Sequence, residues 1–440
     1  MSPIIFDLTR FCYAPPTRAP RGIDRVELEF ARYFLTQRNG ECWGIVPTPW
    51  GTRCLDRDVS WKIVNWSQGN WDVQAPVEAD RLFQEIRAAI INRDNSRTSH
   101  LRTSENATGS IAGRVLQMIA DVGPRVGRSA LAATPENAAY LNVGHFGLAL
   151  DRMIKWLRRR PDVRAMFMLH DVIPVSHTEY VSRKSTRYFR KLLANTARYA
   201  SDVITTTEAV KRNVVESLSA IGADAINTVS LPLAVSHPFD TRLPPDEQLA
   251  AAPYFVFCGQ VEPRKNLILL LRVWSELSET LGPATPLLII VGARDEASAE
   301  TIRFLDNCVA LQNVVIEAHG LSNEGLARLI SSARALLMPS FAEGFGLPIV
   351  EALSLGTPII ASDTPVHREV GGEFPTYLSP IDGPGWRDAI IAHCSDVGRE
   401  RRAVTANYQP RRWRTYFEEL EAVIDAPSST LSYSPAKRSL

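Results

Sequence analysis

The sequence predicts an α/β protein of two doubly wound, Rossmann-like parallel-sheet domains facing one another across a cleft. Three observations carry that prediction. Short apolar runs alternate with helical patterns through both halves of the chain, the signature of a parallel sheet with crossover helices. A polar, proline-bearing stretch, Asp240–Pro253 (DTRLPPDEQLAAAP), separates the halves as a linker would. The chain of 440 residues also exceeds what a single hydrophobic core accommodates.

In the first half the strand-like runs are Ile4–Leu8, Gly44–Pro47, Tyr140–Val143, Ala165–Leu169, Val203–Thr206 and Thr228–Leu231. In the second they are Tyr254–Cys258, Leu287–Val291, Val314–Glu317, Ala335–Met338 and Pro358–Ala361. This reading gives a first domain over 1–240 and a second over 254–410. An amphipathic helix follows over 411–425, with Trp413, Tyr416, Phe417 and Leu420 on one side, and 426–440 reads as a disordered tail. Residues 92–137 fit neither pattern. Their polar first part reads as a mobile loop or insertion, and the part after it could form a short helix.

Composition is that of a folded soluble protein, with 45% hydrophobic and 22% charged residues. Six cysteines are scattered with no CxxC pair, which argues for a reducing compartment and against a structural metal site. The N-terminus lacks a signal peptide's basic start and apolar core, and no segment approaches the roughly 20 apolar residues of a membrane span. A cytoplasmic protein is expected.

A formal net charge of +1 conceals a division. Residues 1–245 hold 32 Lys+Arg against 24 Asp+Glu, while 246–440 hold 17 against 24. The basic half is the side for an anionic partner, either a lipid diphosphate or the cytoplasmic leaflet, although such imbalance between domains is equally an ordinary one. The stretch Tyr180–Ala200 carries Arg183, Lys184, Arg187, Arg190, Lys191 and Arg198 and no acid. That pattern suits peripheral contact with anionic lipid or plain solvation. No basic run is interleaved with stacking aromatics, so no nucleic-acid partner is expected.

Residues 339–363, PSFAEGFGLPIVEALSLGTPIIASD, are the most informative. A strand-like run ends in a loop with Gly344 and Gly346. Pro348 stands in the first turn of a helix, where its missing N–H costs nothing, and Gly356 closes that helix. Glycine loop and helix N-terminus together cradle an anion. Glu343 and Glu351 flank the cradle; carboxylates beside a phosphate accept hydrogen bonds from hydroxyls. A ligand with phosphate in the middle and hydroxyls at both ends is a nucleotide sugar. The plainer alternative makes Glu343 a helix-start carboxylate and Glu351 a solvated helix residue.

This stretch resembles the E-x7-E signature of the retaining glycosyltransferases of family 4, with the EGFGLP core intact. The resemblance spans the second half and, more loosely, the LHDVIP and GIDRV segments of the first. It implies a GT-B fold, with 1–240 taking the acceptor, 254–410 the nucleotide sugar, and the 411–425 helix crossing back to the first domain. It implies that Glu343 contacts the transferred sugar and Glu351 the ribose. The backbone at Gly344, Phe345, Gly346 and Leu347 would hold sugar and diphosphate.

Arg264 and Lys265, in FCGQVEPRKN, follow a strand whose C-terminal end lines the cleft. They offer two cations to the departing diphosphate, in the loop where the family carries basic residues; a solvated pair is the alternative. No DxD-type motif sits where a strand would present it, so neither metal nor other cofactor is expected. His170 matches a family histidine that approaches the donor sugar, while Asp171 either orients it or caps a turn. His145 is a cleft residue or a packing residue. Gly22, before a helix beginning near Asp24, stands where the family brings backbone against donor phosphates or acceptor, here with one glycine in place of two. Arg25 is a nearby cation.

The N-terminal segments resemble mannosyltransferase-like enzymes of bacterial surface-polysaccharide assembly. That implies metal-independent hexosyl transfer from a nucleoside-diphosphate sugar, GDP-mannose-like, to a saccharide or lipid-linked saccharide, at the inner face of the plasma membrane. A nucleotide-sugar epimerase or hydrolase, or a non-catalytic nucleotide-sugar-binding partner, would use the same cradle.

Overall fold

The computed structural model describes residues 1–13, 22–48, 50–69, 77–93, 100–102, 111–123, 127–244 and 246–426. The tail expected over 426–440 lies outside them from residue 427 onward. Fifteen strands are found among the described residues. The first-half strands are β1 (Ile4–Asp7), β2 (Cys42–Thr48), β3 (Gly51–Leu55), β4 (His100–Arg102), β5 (Arg128–Ser129), β6 (Ala139–Asn142), β7 (Arg164–Leu169), β8 (Asp202–Thr205) and β9 (Asn227–Ser230). The second half adds β10 (Tyr254–Cys258), β11 (Leu287–Val291), β12 (Val315–His319), β13 (Ala335–Met338), β14 (Ile359–Ser362) and β15 (Thr376–Leu378).

One sheet runs β5-β3-β2-β1-β6-β7-β8-β9, the other β15-β14-β13-β10-β11-β12-β4. Neighbours are parallel, except that β3 is antiparallel to both β2 and β5. Continuous apolar runs such as YFVFC in β10 and LLIIV in β11 arise because helices cover both faces of a parallel sheet. The antiparallel strand β3, GTRCL, lacks that pattern and escapes a reading based on it.

Strand order reverses between β1 and β6 in the first sheet and between β10 and β13 in the second. Ligands of doubly wound sheets bind outside the strand C-termini at such switch points. The loops after β10 and β13 carry the RKN and EGFGLP segments, so both lie at the second switch point.

The domains do not follow chain order throughout. The helix Arg81–Ile91 lies on the second domain, although it precedes β5–β9 of the first. Asp80 Oδ2 accepts a hydrogen bond from the Ser322 amide at 3.0 Å, and Arg87 pairs with Asp246 at 2.6 Å. Arg93 donates to the carbonyls of Pro283 and Thr285, both at 2.9 Å, and β4 then adds to the edge of the second sheet beside β12. The helix Ile111–Val122 is back on the first domain, against Arg57–Gly69. The stretch 92–137, expected as a loop or insertion with a short helix in its later part, therefore holds two strands besides the three-turn helix Ile111–Val122 among its described residues. The reason is physical: an edge strand needs little apolar surface of its own when a neighbour supplies the ladder.

The helix Trp413–Asp425 packs on the first-domain helix Gly22–Arg32 and the turns after it. Phe417 stacks on Tyr33 with centroids 4.0 Å apart and meets Phe30 edge-on at 5.3 Å. Glu421 receives Arg38 Nε at 2.5 Å.

Candidate active site

The loops that follow β10 and β13 position the first group of side chains. Past β10, Asn266 adopts a left-handed conformation (φ +53°), and its Nδ2 donates to the carbonyls of Pro339 and Pro380 at 3.1 and 2.8 Å. That pins Arg264 and Lys265 beside the loop after β13. Lys265 Nζ lies 2.5 Å from Glu343 Oε1, and Arg264 Nη1 2.8 Å from Glu343 Oε2. Ser340 Oγ donates to Oε1 at 2.7 Å. Burial alone would push the Glu343 carboxyl up, but Lys265 and Arg264 outweigh it and hold it well below the usual carboxylate range. The three residues assigned from sequence to sugar and diphosphate form one ion cluster.

Beyond it, Gly346 (φ +84°) opens the helix Leu347–Ser354, with Pro348 in the first turn. Phe345 is buried in the core and Leu347 partly so, which leaves their backbone as what they offer a ligand. Glu351 is 2% exposed, not a solvated helix residue. Its Oε1 lies 2.7 Å from Arg25 Nη2 of the first domain, while its Oε2 is buried without a partner. Burial raises its carboxyl above the ordinary value, and Arg25 opposes that rise. Arg25 thus faces Glu351 across the cleft. Gly22 packs on Leu347, where an added Cβ would stand 2.9 Å from Leu347 Cδ1.

Gly344 sits so close to the first domain that a Cβ there would come within 2.5 Å of the His170 carbonyl oxygen. Thr206 Oγ1 donates to the Gly344 carbonyl at 2.8 Å. The His170 ring points elsewhere: Nε2 lies 2.9 Å from the Val143 carbonyl, which can only accept. Nε2 therefore carries the hydrogen, and the ring's other nitrogen can serve a hydroxyl only as an acceptor. This modifies the expected donor role. Burial pushes the His170 pKa down to about 3. His145, edge-on to His170 at 5.6 Å, is pushed down to about 4 by burial and by Arg10. Asp171 Oδ1 accepts from the Ile173 amide at 3.0 Å, so it caps the turn.

Sequence reasoning missed His367, which begins to matter only in three dimensions. It is fully buried beside the glycine loop, its Cδ2 3.6 Å from where a Gly346 Cβ would stand. Nδ1 lies 2.8 Å from the Ser362 carbonyl, and Nε2 has no partner. The one available signal was a lone histidine in the first turn of the helix Pro365–Gly371, after β14.

Two further contacts hold the cleft walls together. Glu369 accepts hydrogen bonds from the amides of Glu208 and Ala209 at 2.6 and 3.0 Å, capping a first-domain helix from the second domain. Tyr180 stacks on Phe341 with centroids 5.3 Å apart.

Two Rossmann-like domains facing one another across a cleft define the GT-B class, and comparison with solved structures agrees. The Anabaena protein HepE in complex with UDP-glucose superposes with a TM-score of 0.61 at 15% identity, covering 97% of this chain and 100% of that one. Sucrose-phosphate synthase from Thermosynechococcus elongatus gives 0.55 at 15% identity, over 96% and 98%. These likenesses show the fold. Residues 243–377, within the second half of the chain, match the family model described as glycosyl transferases group 1.

The chain is similar to the O-antigen chain mannosyltransferase RfbU of Salmonella typhimurium, 29% identical over half of this chain and 58% of the relative. It is also similar to O-antigen chain mannosyltransferase B of Escherichia coli, 30% identical over 52% and 60%. The matched part thus spans under two thirds of those relatives. Among the described residues no helix is long and apolar enough to cross a membrane.

Proposed function

We propose that the protein is a retaining, metal-independent hexosyltransferase. It moves a hexose from a nucleoside-diphosphate sugar to a saccharide or lipid-linked saccharide in surface-polysaccharide synthesis. The observation that carries this is the Glu343–Lys265–Arg264 cluster beside the helix Leu347–Ser354, at the switch point of the second sheet. The relatives' mannose specificity favours a GDP-mannose-like donor.

In this reading the diphosphate rests on the amides between Gly344 and Leu347, and Arg264 and Lys265 take the charge that develops as the sugar–phosphate bond breaks. Glu343 holds sugar hydroxyls with oxygens already oriented by the two cations, and Glu351 holds the ribose. A carboxylate so tightly paired as Glu343 is a poor nucleophile, which favours attack by the acceptor hydroxyl on the face the diphosphate leaves. The departing phosphate then accepts the acceptor's proton. His170 and Gly22 border the site from the first domain, Gly22 leaving room for the Leu347 side chain. The exposed cations of the helix Arg183–Tyr199 support contact with an anionic inner membrane leaflet.

Incubation of purified protein with GDP-mannose, UDP-glucose and ADP-glucose, with and without a mannosylated lipid-linked acceptor, tests the reading. Transfer with retained anomeric configuration supports it. Turnover of donor alone, unimproved by acceptor, would favour an epimerase or hydrolase.

A further inference from the structure

Arg25 does more than the donor reading asks of it. Its side chain leaves the first domain and pairs with Glu351 at 2.7 Å, and both side chains are largely buried. The guanidinium carbon also lies 5.0 Å from the centre of the Phe239 ring, in the segment that leads to the linker. Three distant stretches of chain therefore meet on one planar cation. Yet Arg25 Nε, Arg25 Nη1 and Glu351 Oε2 are all buried without hydrogen-bond partners. Buried polar groups are ordinarily satisfied, and three open positions on a single ion pair call for a ligand. Two N–H donors beside a carboxylate acceptor match vicinal hydroxyls, each of which can donate to the carboxylate and accept from the guanidinium.

We infer that Arg25 is a positioning residue for the donor nucleotide, holding Glu351 across the closed cleft so that the pair grips the ribose diol from both domains. The inference rests on the assignment of Glu351 to the ribose. It makes nucleotide affinity depend on closure, because the helix Gly22–Arg32 supplies half of the grip.

The charges around Glu351 make this measurable. Arg25 faces it from the first domain. From the end of β10, Cys258 faces the pair as a neutral thiol, pushed up to about 11 by burial. Lys265 is committed to Glu343 at 2.5 Å. With Arg25 gone, nothing opposes the burial that raises the Glu351 carboxyl, and a protonated acid loses an acceptor position.

The test is calorimetric binding of GDP and UDP from about pH 5.5 to 9, to wild type, Arg25→Gln, Arg25→Lys, Glu351→Gln and the Arg25→Gln/Glu351→Gln double variant. Arg25→Gln should weaken binding at neutral pH by about tenfold or more and make it tighten as pH rises. The double variant should lose that pH dependence, since a carboxamide does not titrate. Arg25→Lys, which keeps the charge without the planar fork, should fall between. Wild-type affinity with a flat pH profile in Arg25→Gln, accompanied only by lower thermal stability, overturns the inference. If Arg25→Gln does not fold, wild-type affinity in Arg25→Lys overturns the two-sided grip. Failure of the underlying ribose assignment looks different: Glu351→Gln then binds nucleotide as wild type does.

Discussion

Glu343, in the loop after β13, and Glu351, in the helix that follows it, share a sequence signature, yet their surroundings drive them in opposite directions. One sits between two cations and stays ionised; the other is buried against a single arginine that belongs to the other domain. Their roles should separate accordingly. Glu343→Ala is expected to abolish transfer while nucleoside-diphosphate binding persists. Glu351→Ala is expected to weaken nucleotide binding by about 1–3 kcal/mol, the cost of a lost buried hydrogen-bond partner. Calorimetry on both variants checks this, and equal nucleotide affinity in wild type and Glu351→Ala would refute the assignment.

The neighbouring histidines make a second prediction. His170 and His145 have folded-state values near 3 and 4, below the ordinary 6.5. As pH drops below about 6.5, the unfolded chain takes up protons that the folded chain refuses. Stability present at neutral pH is therefore lost from about pH 6.5 down to about 4 for His145 and about 3 for His170, at roughly 1.4 kcal/mol per pH unit for each histidine. Urea denaturation at several pH values should show the slope, and His170→Asn should flatten it. An unchanged slope would count against neutral burial of His170.

Spacing alone made the two acids and the glycines legible in the sequence. The partners of Glu351 and the place of His367 depend on which loops the two sheets bring together, and no local pattern encodes that.

Single elements show the same division. The strands β10, β11 and β13 were readable because both of their faces are covered and every residue must be apolar. The short edge strands β4, β5 and β15 were not, since ladder hydrogen bonds carry them with few side chains of their own. The terminal helix announced its apolar side through Trp413, Tyr416, Phe417 and Leu420; in the structure Leu420 is buried and the three aromatic rings meet Phe30, with Phe417 also on Tyr33. Phe417→Ala should cost about 3–5 kcal/mol in chemical denaturation, as large-to-small changes in aromatic clusters do. A loss under about 1 kcal/mol would mean that the helix adds little to the fold.

On the helix Arg183–Tyr199 the residues Arg187, Arg190 and Lys191 are exposed, while Leu192, Leu193, Asn195 and Thr196 are buried. Changing those three cations to Glu should reduce sedimentation with anionic vesicles and leave donor binding intact. Wild-type protein that ignores such vesicles at low salt would make this a solvated face.

For the molecule as a whole, the charge division places the excess of cations in the first half of the chain, and the proposed donor site holds a pair of its own in Arg264 and Lys265. Chelator-treated enzyme should keep its activity in a radiolabelled-transfer assay. A strict requirement for added Mg²⁺ or Mn²⁺ would show that these side chains do not carry the diphosphate charge by themselves. The two-domain plan could be read from the alternation of strands and helices. The detour through the second domain could not: Phe83, Ile86 and Ile90 mark a buried helix face without saying which domain covers it.

That detour changes what the linker means mechanically. The polypeptide passes between the domains between Gly69 and Val77, again between Arg102 and Ile111, a third time near the linker, and a fourth before Trp413. Cutting the chain within Asp240–Pro253 therefore severs one connection of four. Arg87–Asp246, the Arg93 carbonyl contacts and the β4–β12 ladder hold the rest. A protein nicked there should run as one particle on a sizing column and part only in denaturant. The halves read from the sequence are not separable units, and expressing residues 254–440 alone would expose the floor on which Leu82, Phe83, Ile86 and Ile90 rest.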